Sequence, residues 1–410
     1  MYDLAIIGGG AAGFFTAINV KRKHPNWKLA IFEKSQTFLG KVAISGGGRC
    51  NVTHACFDPQ VLCQYYPRGK KELRSVFERF GPKETIAWFK HYGIAIKQES
   101  DGRMFPESNT SETIVDCFLD ACDELDIELY KGMALQSIES GTSYTLQFQN
   151  AKVKAKNVAI TAGSSQSIWQ MLQTLGHTIV APVPSLFTFN IKDPFVEDLM
   201  GVSVPKAQVK LDLPAELLKS SGLKAVDITQ SGPLLVTHWG LSGPAILKLS
   251  AVAARALHDC QYQFKIKVNL CGLNQEDCLA VLLNIKSEQS KKLMVNTPFF
   301  EIPNRWWQRI VQLCIDNTQM TWADCNKKTL QSLAQKLSDY SLEVKGKSTF
   351  KDEFVTAGGV DLKDIQFKTM ESKLLPRMYF AGEVINVDAL TGGFNFQAAW
   401  SESWIIAQSI

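Results

Sequence analysis

A chain of 410 residues with 45% hydrophobic side chains has enough apolar material for a substantial core and for more than one domain. Lys and Arg outnumber Asp and Glu by 44 to 40, and a net charge of +4 is too small a bias to mark a nucleic-acid binder by charge alone. No apolar run reaches the roughly 18 residues of a membrane span, no basic stretch precedes a small-residue cleavage site, and no pair of cysteines or histidines has zinc-site spacing, so a cytoplasmic protein without membrane or metal partners is expected.

Asp3 to Ile7 is a short continuous apolar run, residues 11 to 23 follow with helical periodicity, and Lys28 to Phe32 is a second apolar run. Strand, glycine turn, helix and strand make a βαβ unit. The turn reads Gly8-Gly9-Gly10-Ala11-Ala12-Gly13, which fits GxGxxG. Gly8 suits a tight turn, Gly10 lets backbone approach a pyrophosphate, and Gly13 lets the helix pack closely on the strand. Glu33, followed by Lys34, ends the second strand about 20 residues on, where a carboxylate accepts ribose hydroxyls.

Lys41 to Asn51 is glycine-dense: Ser45, Gly46, Gly47 and Gly48 precede Arg49, Cys50 and Asn51. Such backbone can press against a flat or phosphorylated ligand while the guanidinium supplies charge. Cys50 is a candidate acid or redox group there, with buried packing as the alternative. From Pro67 to about Leu125 the pattern is helical and polar, broken at Gly81-Pro82 and by a loop around Ser100 to Pro106 in which Arg103 could face a cleft. The basic residues Arg68, Lys70, Lys71 and Arg74 could meet phosphates or simply be solvated.

Residues 133 to 162, opened by Met133, alternate as strands with Gly141 as a hairpin turn and lead to Thr161-Ala162-Gly163, a small-residue turn that lets a strand end pass beneath a cofactor. Residues 182 to 270 carry seven prolines among short β-rich runs, which predicts a small antiparallel β domain. Within it, Thr237 to Pro244 sets His238 beside two glycines; the histidine is a catalytic candidate, weighed against a structural role. Residues 274 to 340 turn helical, with Arg305 and Arg309 flanking Trp306-Trp307, a pair suited either to stacking on bases or to core packing. From about Ser348 strands and glycine turns return. Ala381-Gly382-Glu383 ends an apolar strand, and Thr391-Gly392-Gly393-Phe394-Asn395-Phe396-Gln397 opens a last helix whose first N–H groups could face a flavin ring and stabilise charge on it. That second contact at the far end of the chain favours FAD over NAD as the resident dinucleotide.

Together GGGAAG, SGGGRCNVT, GRMFPES, THWGLSGPAIL, TAGGV, TMESK and YFAGEVINVDALTGGFNFQAAW resemble the BaiN-like family of NAD(P)/FAD-dependent oxidoreductases, also called aminoacetone-oxidase-like flavoproteins, along essentially the whole chain. The resemblance implies an α/β fold: a discontinuous glutathione-reductase-like FAD-binding Rossmann domain, formed by residues 1–183 and 346–410, with an inserted β-barrel-like domain at 184–272 and a helical insertion at 273–345. It implies FAD contacts from Glu33, the 45–51 loop, Glu383 and the 392–397 turn, to which Lys34, Lys41, Met133 and Asp388 are added as expected neighbours. Phe394 and Asn386 stand where the family pattern has Tyr and Asp.

The activity implied is reduction of an activated C=C bond, with NAD(P)H as a transient reductant and either a uridine in ribosomal RNA, giving dihydrouridine, or a small conjugated carbonyl compound as substrate. Competing readings are an amine oxidase that passes electrons to oxygen and a binding module without catalysis. No second dinucleotide motif is present to hold the nicotinamide.

Overall fold

A computed structural model describes residues 1–347 and 355–410, so the expected return to the sheet at about Ser348 lies outside the described residues. The chain divides into two compact units, Met1–Pro182 with Thr356–Ile410, and Val183–Val355.

The first unit is built on a nine-stranded mixed sheet. At its centre the strands Met378–Phe380, Lys152–Ile160, Tyr2–Ile7, Leu29–Phe32 and Glu128–Tyr130 lie side by side and parallel. Leu29–Phe32 is buried at every position and Tyr2–Ile7 at its last four, as expected of parallel strands covered on both faces. The hairpin Leu135–Glu139 and Tyr144–Phe148 turns around Gly141 and joins Lys152–Ile160 antiparallel. A small antiparallel sheet of Thr53–His54, Arg103–Pro106 and Ile96–Gln98 stands beside the helix Pro82–His91. The helix Ala11–Lys23 packs along the final helix, Phe394–Ser409, where Ser403 donates its hydroxyl to the Ala12 carbonyl at 2.9 Å. Small side chains at that contact let the two backbones approach. The C-terminal segment thereby completes the sheet begun at the N-terminus, with Met378–Phe380 in register against Val158 to Ile160.

The second unit carries a six-stranded antiparallel sheet in the order Phe189–Asn190, Gly240–Ser242, Thr229–Val236, Ser203–Asp212, Gln263–Asn269, Tyr340–Lys345. Ser203–Asp212 alternates buried and exposed over most of its length, the pattern of a half-covered strand. A bridge between Phe189 and Lys347 brings the two outer strands together, so the sheet curls toward a barrel. The helices Gln275–Glu288, Asn304–Gln312 and Lys327–Ser338 make up most of the segment 273–345. Their apolar faces join the sheet in one hydrophobic cluster, and the segment's last strand is an edge of the same sheet.

Trp306 and Trp307 lie at the middle of that cluster with 0% exposure, so they pack rather than offer faces to bases. Arg309 pairs with Asp198 at 3.2 Å and Arg305 donates to the Asp198 carbonyl, which ties down both basic neighbours. Pro244–Val252 and Ala254–Asp259 are helices within a stretch whose prolines suggested strands alone; Pro244 occupies a first-turn position, where its missing N–H costs nothing.

Candidate functional site

Every residue expected to touch a cofactor belongs to the first unit. The glycine turn shows why three positions exclude a side chain and a fourth does not. A Cβ at Gly8, whose φ is +113°, would lie 2.5 Å from the Thr161 carbonyl oxygen, and one at Gly13 would lie 2.0 Å from the Gly8 carbonyl oxygen. At Gly9 it would meet the Phe38 ring at 2.5 Å. These three close the turn against the sheet. Gly10, by contrast, has no heavy atom within 4 Å of its Cβ direction and caps the helix that begins at Ala11 and Ala12, with no side chain bonding the first N–H groups. An open face at a helix N-terminus is the place for a pyrophosphate.

Glu33 is held at the end of its strand by N–H donors from Gly9 at 2.7 Å and Ser35 at 2.8 Å, one to each carboxylate oxygen. Each oxygen retains lone-pair capacity for a ribose hydroxyl. Met133 donates its N–H to the Glu33 carbonyl at 2.8 Å, and Lys34 is exposed beside it. Thr161 donates its hydroxyl to the carbonyls of Ile7 and Gly8 at 3.1 and 3.0 Å, locking the neighbouring strand end under the turn. Ala162 follows, and Gly163, at φ +59°, has open space where a side chain would be.

The segment from Lys41 to Asn51 is a kinked helix, Gly40–Gly48, whose last turn unwinds at Ser45, Gly46 and Gly47. Gly46, Gly47 and Gly48 all have positive φ, and the latter two face open space. Lys41 reaches Glu383 with an N–O distance of 2.5 Å, an ion pair that joins the N-terminal loop to the Ala-Gly-Glu turn 342 residues later. Asn51 accepts the Met104 N–H at 3.2 Å and lies under Gly393, where a Cβ would come within 2.9 Å of its side-chain oxygen. Gly392 and Gly393, with φ of +134° and +87°, then swing the chain into the last helix, whose N-terminus carries no side-chain cap.

Other expected contacts are committed inside the protein. Arg49 donates to Glu99 at 2.5 Å and Asn109 at 2.8 Å and lies 4.0 Å over the Phe105 ring, so its charge is turned from the glycines toward Glu99. Arg103 is likewise tied to Asp101 at 2.7 Å and Glu99 at 3.1 Å. Gln397, 0% exposed, accepts from Thr53 and Thr85 at 2.5 and 3.0 Å and donates to Ser401 at 2.9 Å. Asp388, also 0% exposed, forms a two-bond ion pair with Arg68, which removes Arg68 from the basic cluster. Asn395 brackets Ala389, accepting its N–H at 3.0 Å. These side chains are held by partners within the protein. Cys50 has 0% exposure and burial pushes its thiol up to about 12, so it is a protonated packing residue at neutral pH. His238 is an exposed residue of the second unit, between Thr229–Val236 and Gly240–Ser242.

The structure adds groups that the motifs did not single out. Phe394 stacks on Tyr65 at 4.2 Å and His54 at 4.7 Å between ring centres, and Tyr66 donates to the Phe394 carbonyl at 2.6 Å. His54 donates from Nε2 to the Asp101 carbonyl at 3.2 Å, and burial lowers its pKa, keeping the ring neutral. Glu402, fully buried in the last helix, accepts the Gly382 N–H at 2.7 Å; burial raises its carboxyl to about 8. The signal for Glu402 was present: it is the one ionisable residue in an otherwise uncharged helix. Its partner was not visible in the sequence. Among the described residues no group of three or more His, Cys, Asp or Glu side chains could hold a metal, and no helix is long and apolar enough to cross a membrane.

The chain is similar to known proteins along nearly its whole length. The chain is 27% identical to the ribosomal RNA dihydrouridine synthase of Escherichia coli (strain K12), over 100% of this chain and 98% of that protein. It is 22% identical to the 3-dehydro-bile acid delta(4,6)-reductase of Clostridium scindens, over 100% of this chain and 99% of that one. Among solved structures, the 3-ketosteroid-delta4-(5alpha)-dehydrogenase of Rhodococcus jostii RHA1 aligns over 99% of this chain and 96% of its own, with 10% identity and a TM-score of 0.49. Residues 2–409 match the family described as the HI0933-like protein Rossmann domain, and with nearly its whole length matched the chain belongs to that HI0933-like Rossmann family.

Proposed function

We propose that this protein is an FAD-dependent oxidoreductase that takes reducing equivalents from NAD(P)H and adds hydride to an activated C=C bond, with a uridine of ribosomal RNA as the preferred substrate. The observation that carries the reading is the open turn at Gly10, set in one unit with the Lys41–Glu383 ion pair and the uncapped helix at Phe394. A pyrophosphate, a ribityl chain and a flavin ring need these three kinds of surface at separate points along one extended ligand.

Gly10, Ala11 and Ala12 would hold the pyrophosphate, Glu33 the ribose, Lys41 and Glu383 the polar middle of the cofactor, and the Gly392–Phe394 turn the ring. Bound FAD would supply hydride transfer from its N5 position. The protein's part is orientation and charge: the first N–H groups of the helix Phe394–Ser409 favour negative charge beside them, and Lys41 adds a cation. The stack of His54, Tyr65 and Phe394 braces the turn that presents those N–H groups.

Full-length similarity to a ribosomal RNA dihydrouridine synthase supports the uridine substrate, and a ribosomal substrate implies the cytoplasm. The full-length bile acid reductase relative supports a second reading in which a small conjugated enone is reduced. Both substrates present a C=C conjugated to a carbonyl, so one flavin geometry serves either. The deciding experiment deletes the gene, quantifies dihydrouridine in ribosomal RNA by mass spectrometry, and adds purified protein, FAD and NAD(P)H to RNA from the deletion strain. Loss in the cell with restoration in the tube supports the RNA reductase. Unchanged dihydrouridine refutes it, and steroid-like enones are then assayed by NAD(P)H oxidation. RNA binding would weaken steeply with salt, whereas enone binding would not.

A further inference from the structure

Glu402 is an ionisable residue in the interior of the first unit, and the reaction described above makes no use of it. It lies at the middle of the helix Phe394–Ser409 with 0% exposure, in a run from Gln397 to Ser403 that is buried at every position. Among the described residues its carboxyl has one hydrogen-bond partner. Oε2 accepts the Gly382 N–H at 2.7 Å, while Oε1 is buried without a partner. A buried carboxylate needs several donors to offset its lost hydration, and one N–H is too few. The geometry therefore favours the neutral acid, in keeping with the rise to about 8 that burial causes.

The bond to Gly382 puts this acid directly behind the cofactor surface. Gly382 has a φ of +79°, and a Cβ there would come within 3.1 Å of the Ala12 Cβ, so the Ala-Gly-Glu turn is seated on the first turn of the helix Ala11–Lys23. Ser403, the next residue, donates to the Ala12 carbonyl at 2.9 Å, and Glu383, following Gly382, meets Lys41. No ionisable side chain bonds Glu402. Tyr66 is the titratable neighbour that feels its charge, and burial keeps that hydroxyl protonated while it donates to the Phe394 carbonyl. Of the elements packed on the last helix, Ala11–Lys23 carries its basic residues in its last turn, and Leu73–Phe77 carries Arg74, paired with Glu78. Pro82–His91 carries Glu84, which accepts the Gly81 N–H, and exposed Lys83, Lys90 and His91. Thr53–His54 brings His54, bonded to the Asp101 carbonyl, and Met378–Phe380 brings Tyr379.

We infer that Glu402 is a positioning residue for FAD whose proton is linked to cofactor binding: as a neutral acid it anchors the Ala-Gly-Glu turn, and its ionisation and the binding of the anionic pyrophosphate oppose each other. The inference rests on the FAD reading above. The turn that Glu402 holds touches Ala12, assigned to the pyrophosphate, and carries Glu383, assigned with Lys41 to the polar middle of the cofactor. A pyrophosphate on that helix start makes a further negative charge at Glu402 harder to form, so bound FAD raises the pKa of the carboxyl. By reciprocity, FAD binding takes up a proton wherever the free protein has lost it. Affinity is level below the free protein's pKa and falls as pH rises through it.

The test titrates the full-length protein, freed of flavin, with FAD. The native chain should bind FAD about tenfold more weakly at about pH 9 than at about pH 7, read by flavin fluorescence. Calorimetry at about pH 8.5 in two buffers of different ionisation enthalpy should show uptake of most of one proton per FAD bound. Glu402→Gln keeps an acceptor oxygen for the Gly382 N–H but cannot ionise, so it should lose both the pH dependence and the proton uptake. Glu402→Leu removes the acceptor and should bind FAD about tenfold more weakly than Glu402→Gln at either pH. A level affinity and no proton uptake in the native chain, an unaltered pH profile in Glu402→Gln, or equal affinities of the Gln and Leu variants would overturn the inference while leaving FAD bound. Absence of FAD binding by the native chain at any pH would instead overturn the FAD reading, and this inference with it. The two measurements on the native chain do not depend on a variant folding.

Discussion

Gly10→Ala places a methyl group in the one part of the glycine turn that the protein leaves open. The backbone there is extended, with φ −97° and ψ −168°, which alanine adopts without strain, and no heavy atom lies within 4 Å of the new carbon. The fold should therefore be unaffected or slightly firmer, with stability within about 1 kcal/mol of the parent, since removing a glycine also restricts the unfolded chain. A dinucleotide pyrophosphate seated against that backbone would meet the methyl directly. Forcing one carbon into a close contact costs about 1–3 kcal/mol, which corresponds to FAD affinity about 5- to 150-fold weaker. The assay pairs thermal unfolding of the apoprotein with FAD titration followed by flavin fluorescence. An unchanged melting temperature with weakened FAD binding is expected. If Gly10→Ala binds FAD as tightly as the parent, the pyrophosphate does not lie on this turn and the assignment of the cofactor site is wrong.

Gly13→Ala should behave in the opposite way, because its Cβ would stand 2.0 Å from the Gly8 carbonyl oxygen and the backbone must move; a loss of about 3 kcal/mol or more is expected, seen as a lowered melting temperature even without cofactor. Glu402→Gln tests the buried carboxyl. With a folded pKa of about 8 against an ordinary value of 4.5, the folded chain keeps a proton that the unfolded chain has released, so the stability of the native sequence falls as pH rises between those values. Relative to Glu402→Gln, which does not titrate, it should lose about 2 kcal/mol from about pH 6 to about pH 8 in urea unfolding, and parallel profiles for the two proteins would show that the carboxyl is ionised throughout. Arg68→Met leaves the Asp388 carboxylate at 0% exposure without its guanidinium, and a loss of about 3–5 kcal/mol should appear in the same unfolding measurement; a change under about 1 kcal/mol would mean that the pair is solvated.

The start of the Rossmann unit was legible in the sequence because each of its parts is local. A buried parallel strand is a continuous apolar run, a helix has its own period, and the exclusion of a side chain at Gly13 follows from the Gly8 carbonyl within the same turn. The hairpin at Gly141 was equally local. The helices at Pro244–Val252 and Ala254–Asp259 were hidden because proline starts a helix as readily as it ends a strand. Only the tertiary structure decided which polar residues of the site are free for a ligand. Gln397 is consumed by Thr53, 344 residues away, and Asp388 by Arg68, 320 residues away. Arg49 is consumed by Glu99, and Glu402 holds Gly382 from the far side of the last helix's first turns. Motif spacing reports the backbone a cofactor needs, whereas the use of a buried polar side chain is set by whichever partner the fold brings within hydrogen-bond reach, because leaving it unpaired would cost more than the bond is worth.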